Sequence, residues 1–178
     1  MRPSALLTRF EAVLSTWENA LDSYSESGFV RQPAPGAWSI GQVYIHLIGS
    51  AKRYHLRQIE ACLSGDDHAR AHKSFAGYLT YLLGGMLPVR IKVPPSPQYT
   101  PPQPESIEQL RNMIPALREQ MAAAAGLLSQ AHGKGKIAHP AFGFLNALEW
   151  FALIDMHFRH HLRQKKRIDA FLRQQTNP

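Results

Sequence analysis

The sequence predicts an all-α protein built as a four-helix bundle. Three observations carry this. Four long segments repeat apolar residues at i, i+3, i+4 and i+7, the period of an amphipathic helix. Three of them open on a Ser or Asn followed three residues later by Gln or Glu, the capping-box signature of a helix start. No segment shows a sustained strand-like alternation of apolar and polar residues.

The first helix is expected over residues 4–26, with Phe10, Val13, Leu14, Trp17, Leu21 and Tyr24 on its apolar face and Gly28 as its stop. Pro33, Pro35 and Gly36 make a rigid loop. Ser39 and Gln42 then box the start of a second helix over residues 40–63, with Val43, His46, Leu47, Ser50 and Tyr54 on or near one face. Gly65, Asp66 and Asp67 end it. A short helix is expected around Phe75 to Leu83. From Pro88 to Pro104 seven prolines fall in seventeen residues, which excludes regular structure and leaves a long connection between helices two and three. Loops of that length are usually functional covers or linkers. Ser106 and Gln109 box a third long helix, whose stripe is Leu110, Met113, Ile114, Leu117, Met121, Ala124 and Leu128. The stretch A-H-G-K-G-K reads as a turn. The last helix follows H-P-A-F-G-F-L, starts at a box of Asn146 and Glu149, and runs to about Arg173.

Composition fits one folded domain spanning residues 1–178. The chain is 44% hydrophobic and 19% charged, enough apolar content for a core. No apolar run reaches the ~18–20 residues needed to span a bilayer, so no membrane partner is expected. The N-terminus lacks the apolar core of a signal peptide, and a single Cys62 excludes an internal disulfide framework; a cytoplasmic protein is expected. The net charge of +7 raises a nucleic-acid reading. Yet Arg159, Arg163, Lys165, Lys166, Arg167 and Arg173 crowd the end of one helix, where cations offset the helix dipole and solvate an exposed side. No nucleic-acid-binding motif accompanies them, so no nucleic-acid partner is expected.

The chemistry concentrates at D-M-H-F-R-H-H-L-R-Q, residues 155–164. Four helical residues turn the chain by ~400°, so His157 and His161 stand one above the other, offset by ~40°. Two imidazoles one turn apart can share a metal ion. Trp150, Ile154, Ile168 and Phe171 lie on the same stripe as His157, His161 and Gln164, whereas His160 lies ~80° from Trp150 and points sideways. A third ligand must come from another helix. His46 is the histidine near the early turns of helix two with apolar neighbours at helical spacing. Three neutral imidazoles with an open fourth position would make a catalytic type of site for zinc, nickel or iron. Against this stands a plain core in which these histidines are hydrogen-bonded.

Two stretches carry a family resemblance. G-A-W-S-I-G-Q-V-Y-I-H-L, with W-S-x-x-Q-x-x-x-H-L, and the later H-P-A-F-G-F-L-N-A-L-E-W-F-A-L-I-D-M-H-F-R-H-H-L-R-Q resemble the two signature regions of the DinB/YfiT-like superfamily. The resemblance spans nearly the whole chain. It implies a four-helix bundle holding a divalent metal on three histidines, which fall on His46, His157 and His161. It also implies thiol-dependent chemistry, such as transfer or isomerisation with bacillithiol or mycothiol, and a possible homodimer. The sequence departs from the pattern in carrying His160 where the family often has Arg, a change expected to alter a side contact rather than the metal.

The expected function is metal-assisted transfer of a small thiol to a small-molecule electrophile, with hydrolysis as a variant. Gln164 is a candidate contact to His161 or the substrate. His139 is a candidate hydrogen-bonding residue at the cavity mouth. Glu149 is expected to cap its helix, Trp38 and Trp150 to belong to the core, and Cys62 to be no nucleophile. Two rival readings remain: a non-catalytic metal-binding or sensor domain, with His139 or His160 as a fourth ligand, and a helical interaction module.

Overall fold

The computed structural model describes residues 2–86, 100–130 and 133–176. Helix α1, Pro3–Ala20, opens on Pro3, whose fixed φ suits a first helical position, and buries Leu6, Phe10, Val13, Leu14 and Trp17. It ends earlier than its periodicity predicts. A 3-10 turn, Leu21–Ser23, leads to extended Tyr24, and Ser25 accepts a hydrogen bond from the Gly28 amide to start a short helix α2, Glu26–Phe29. A serine that satisfies a free N–H so close by makes a new start cheaper than a continued helix. Gly28 therefore lies inside α2 rather than stopping α1.

The second long helix is interrupted. It comprises α3, Ile40–Ser50, a π-turn, Ala51–His55, and α4, Leu56–Leu63. The Ser39–Gln42 capping box is complete, with Gln42 N to Ser39 Oγ at 3.1 Å and Ser39 N to Gln42 Oε1 at 3.0 Å. Helix α5, Phe75–Leu82, matches the short helix expected there. Helix α6, Ile107–Gln130, starts on a shifted box: Ser106 Oγ accepts from Gln109 N at 3.0 Å, while Gln109 Oε1 takes the Glu105 amide at 3.0 Å. Helix α7, Ala147–Thr176, opens on the expected box, with both Asn146–Glu149 hydrogen bonds at 2.9 Å.

A strand pair, not expected from the sequence, precedes α7. Strands β1, Lys136–His139, and β2, Gly143–Asn146, pair antiparallel from Lys136 opposite Asn146 to His139 opposite Gly143. Four residues per strand are too few for alternation to show. Gly143 makes the tight return possible: its φ is 72°, and a Cβ there would lie 2.4 Å from the Ser74 amide.

The long helices bury a common core. Helix α1 packs against α6 and α7, and the α3–α4 helix packs against α7 and α6. Trp17 and Tyr44 meet edge to face at 4.9 Å, Tyr44 donates to the Trp17 carbonyl at 2.6 Å, and Trp17 Nε1 donates to the Phe158 carbonyl at 3.2 Å. These bonds satisfy buried polar tips that would otherwise oppose folding. Of the proline-rich connection expected over Pro88 to Pro104, residues 88–99 lie outside the described residues. Among the described residues no helix is long and apolar enough to cross a membrane.

Candidate metal centre

His46 stands on the second turn of α3, and the start of that helix is pinned from outside. Ser39 Oγ donates to Gln103 Oε1 at 2.8 Å, and Gln42 Nε2 donates to the Pro101 carbonyl at 2.7 Å. Gly41 permits the close approach: a Cβ there would lie 2.7 Å from Pro104 Cγ. Trp38, half-buried, packs its ring 5.0 Å from that of His46. The end of the proline-rich connection thus fixes the helix that presents His46.

Helix α7 brings the other two. Its phase is set by Trp150, Leu153, Ile154 and Phe158, all buried, and by Asp155, which is 1% exposed. Asp155 accepts from Arg9 of α1 at 2.9 Å and from Arg159 at 2.8 Å, and Arg159 also donates to the Gly84 carbonyl at 2.8 Å. Arg159 therefore braces the helix rather than solvating its end. Lys165 is likewise engaged, with Asp169 Oδ2 at 2.7 Å. The sequence reading of a solvated basic end is corrected for these two residues.

With α7 held in that phase, His157 and His161 face His46. His157 Nε2 lies 3.0 Å from His46 Nε2 and 3.1 Å from His161 Nε2. Among the described residues, these three form the set of His, Cys, Asp and Glu whose ligand atoms all lie within 4.8 Å of one another. A ring nitrogen has one in-plane position, holding either a proton or a lone pair. His157 Nε2 therefore cannot hydrogen-bond both neighbours well, and the three nitrogens do not satisfy one another. Two nitrogens each bound at about 2.1 Å to one ion lie at most about 4.2 Å apart, so the 3.0 and 3.1 Å spacings suit a shared cation.

The electrostatics agree. Burial pushes the His46 imidazole down to about 4, and burial with His46 close by pushes His161 down to about 3, although its bond to Gln164 acts the other way. His157 is held well below the ordinary histidine value, by burial first and then by His161 and His46. All three are neutral near pH 7 and keep lone pairs to give. Gln164 Oε1 lies 2.9 Å from His161 Nδ1. As an acceptor it keeps the proton on Nδ1 and leaves Nε2 free, the role usually played beside a ligating histidine.

The other sequence candidates fall elsewhere. His160 stacks edge-on against His161 at 5.4 Å but stays outside the converging set. His139 closes the hairpin: its Nδ1 accepts the amides of Ala141 and Phe142 at 3.1 and 3.3 Å, and its ring stacks on Phe142 at 4.5 Å. It lies 5.3 Å from the Trp150 ring, apart from the three nitrogens. Neither residue supplies a fourth ligand here. Glu149 caps α7 and pairs with Lys73. Cys62 is buried, and burial pushes its thiol up to about 11, the opposite of an activated nucleophile. One residue escaped the sequence reading: His55, 5% exposed, lies edge-on to His157 with ring centroids 5.6 Å apart. Nine residues after His46 is half a turn away in a regular α-helix, so helical spacing hid it.

A family model described as the DinB superfamily matches residues 9–164. An uncharacterised protein, YuaE of Bacillus subtilis (strain 168), is 25% identical over 160 residues, covering 89% of this chain and 93% of that protein. The crystal structure of TT2238, a four-helix bundle protein, superposes with a TM-score of 0.59 at 17% identity, covering 93% of this chain and 98% of that one. That likeness concerns the fold.

Proposed function

The chain belongs to the DinB superfamily, and from that premise we propose that it binds a divalent metal ion through His46, His157 and His161 and uses it to act on a small molecule. The observation that carries this reading is the convergence of three neutral Nε2 atoms that cannot satisfy one another. A cation is the partner such a donor set calls for, and imidazole nitrogen suits zinc, nickel or iron.

The reaction we assign is transfer of a low-molecular-weight thiol to an electrophile, with hydrolysis as the variant. Held by His46, His157 and His161, a divalent ion would supply Lewis acidity, lowering the pKa of a thiol or water bound to it. In the transfer, the thiol gives its proton to solvent, its sulfur forms the new bond to the electrophilic carbon, and the leaving group departs with the bonding electron pair. The chain's own residues hold and aim the centre. Gln164 fixes the His161 tautomer, Trp38 packs against the His46 ring, and Asp155 with Arg9 and Arg159 sets the phase of α7. Burial keeps the imidazoles neutral, with lone pairs free to bind a cation.

The test is consumption of small thiols in the presence of electrophiles by protein loaded with zinc, nickel or iron. The wild-type chain is expected to turn over at least one pairing, and His46→Ala is expected to be inactive. Turnover in His46→Ala equal to wild type would defeat the proposal.

A further inference from the structure

Helix two holds a second feature beside the centre. In an uninterrupted α-helix the stripe of Val43, Leu47 and Ser50 continues to Tyr54, and His55 falls about 100° further round. The π-turn Ala51–His55 adds a residue to that count. His55 takes the inward position at 5% exposed, and Tyr54 is left 38% exposed. Such π insertions are frequently found at functional sites.

The inward ring meets an unusual wall. His55 lies edge-on to His157 at 5.6 Å and 5.9 Å from the ring of Trp150, which is 0% exposed. His55 Nδ1 and Trp150 Nε1 are both buried with no hydrogen-bond partner among the described residues. Buried polar atoms without partners are rare and need an explanation. Here two of them stand on neighbouring rings, and one of these, His55, lies directly against His157. The indole N–H can only donate, and a neutral imidazole offers one N–H. His139, 5.3 Å from Trp150, accepts backbone amides on Nδ1 and so carries its proton on Nε2. Trp150 Nε1 and His139 Nε2 are donors, and His55 Nδ1 joins them in the tautomer that protonates it, so the complement of this wall is an acceptor oxygen.

We propose that His55 and Trp150 form a substrate subsite beside the three-histidine centre, taking a carbonyl or carboxylate oxygen of the molecule whose reacting group sits at that centre. This rests on the metal reading above. A fixed water is the other source of such an oxygen, and the experiment separates the two.

Cobalt-substituted full-length protein is titrated with mercaptoacetate and with ethanethiol, following the sulfur-to-cobalt absorption band. The two thiols differ in the carboxylate. Wild type is expected to favour mercaptoacetate at least ten-fold. Trp150→Phe, which keeps a ring and removes the N–H, and His55→Leu are expected to bind cobalt and ethanethiol as wild type does while the preference falls to about two-fold or less. His55→Gln, which keeps a hydrogen-bonding group, should recover part of it. A wild type without preference, or variants that keep it, would mean a fixed water only and would overturn the subsite. Loss of cobalt in His55→Leu would overturn it too, by making His55 a ligand. No cobalt uptake by wild type would overturn the metal reading itself, and the subsite with it.

Discussion

Acidification of the metal-free protein tests the buried imidazoles directly. His46, His55 and His161 are pushed down from 6.5 to about 4, about 3 and about 3, in each case chiefly by burial. They are neutral in the folded chain and protonate near 6.5 once unfolded. The unfolded state therefore binds more protons below pH 6.5, and stability falls as pH drops from 6.5 towards the folded values of 3–4. Each pKa unit corresponds to about 1.4 kcal/mol, so one unit below 6.5 the three groups together remove about 4 kcal/mol. His157 and His139 act in the same direction, the latter pushed down to about 4 by burial. That loss is a large part of the ~5–15 kcal/mol typical of a folded domain. Urea denaturation of chelator-treated protein at pH 7.5, 6.5 and 5.5 measures it. His55→Leu should flatten the decline by about a fifth, its share among these five depressed imidazoles. A stability unchanged between pH 7.5 and 5.5 would refute the claim that these rings are buried and neutral.

Asp155→Asn weakens the brace between α1 and α7. The carboxylate is 1% exposed, but its partners Arg9 and Arg159 are 40% and 35% exposed and can return to water, so the expected cost is about 2–3 kcal/mol, below that of a fully buried pair. In a chain of this length that lowers the melting temperature by roughly 4–12 °C, measurable by thermal denaturation. Gln164→Leu removes the acceptor that orients His161 and should weaken metal affinity about 10–100-fold in a competition titration, with little change in fold. His160→Ala, outside the converging set, should leave the metal affinity unchanged.

The parts of the molecule visible in the sequence are those fixed by local chemistry. Capping boxes marked the starts of α3 and α7 because a Ser or Asn side chain satisfies free helix amides over three residues, a purely local arrangement. The pair His157 and His161 was legible because α7 is a regular helix there, and its apolar stripe says which way it faces. His46 followed from its place on the apolar side of α3. His55 did not, because a π-turn changes the count without any residue that announces it. The hairpin of β1 and β2 escaped because its strands are four residues long and are held by a return at Gly143 that depends on contact with Ser74. The role of Arg159 depended on Asp155, Arg9 and Gly84 meeting across three separate segments, which no single stretch of sequence encodes.

The most direct test of the centre is the metal content of untagged protein, purified without a metal column, measured by elemental mass spectrometry. About one equivalent of a divalent ion per chain is expected, and it should be absent from His157→Ala, which removes the nitrogen shared by both close contacts. A wild-type chain that carries no divalent ion and takes up neither zinc nor nickel would contradict the account, leaving three histidines in a plain helical core.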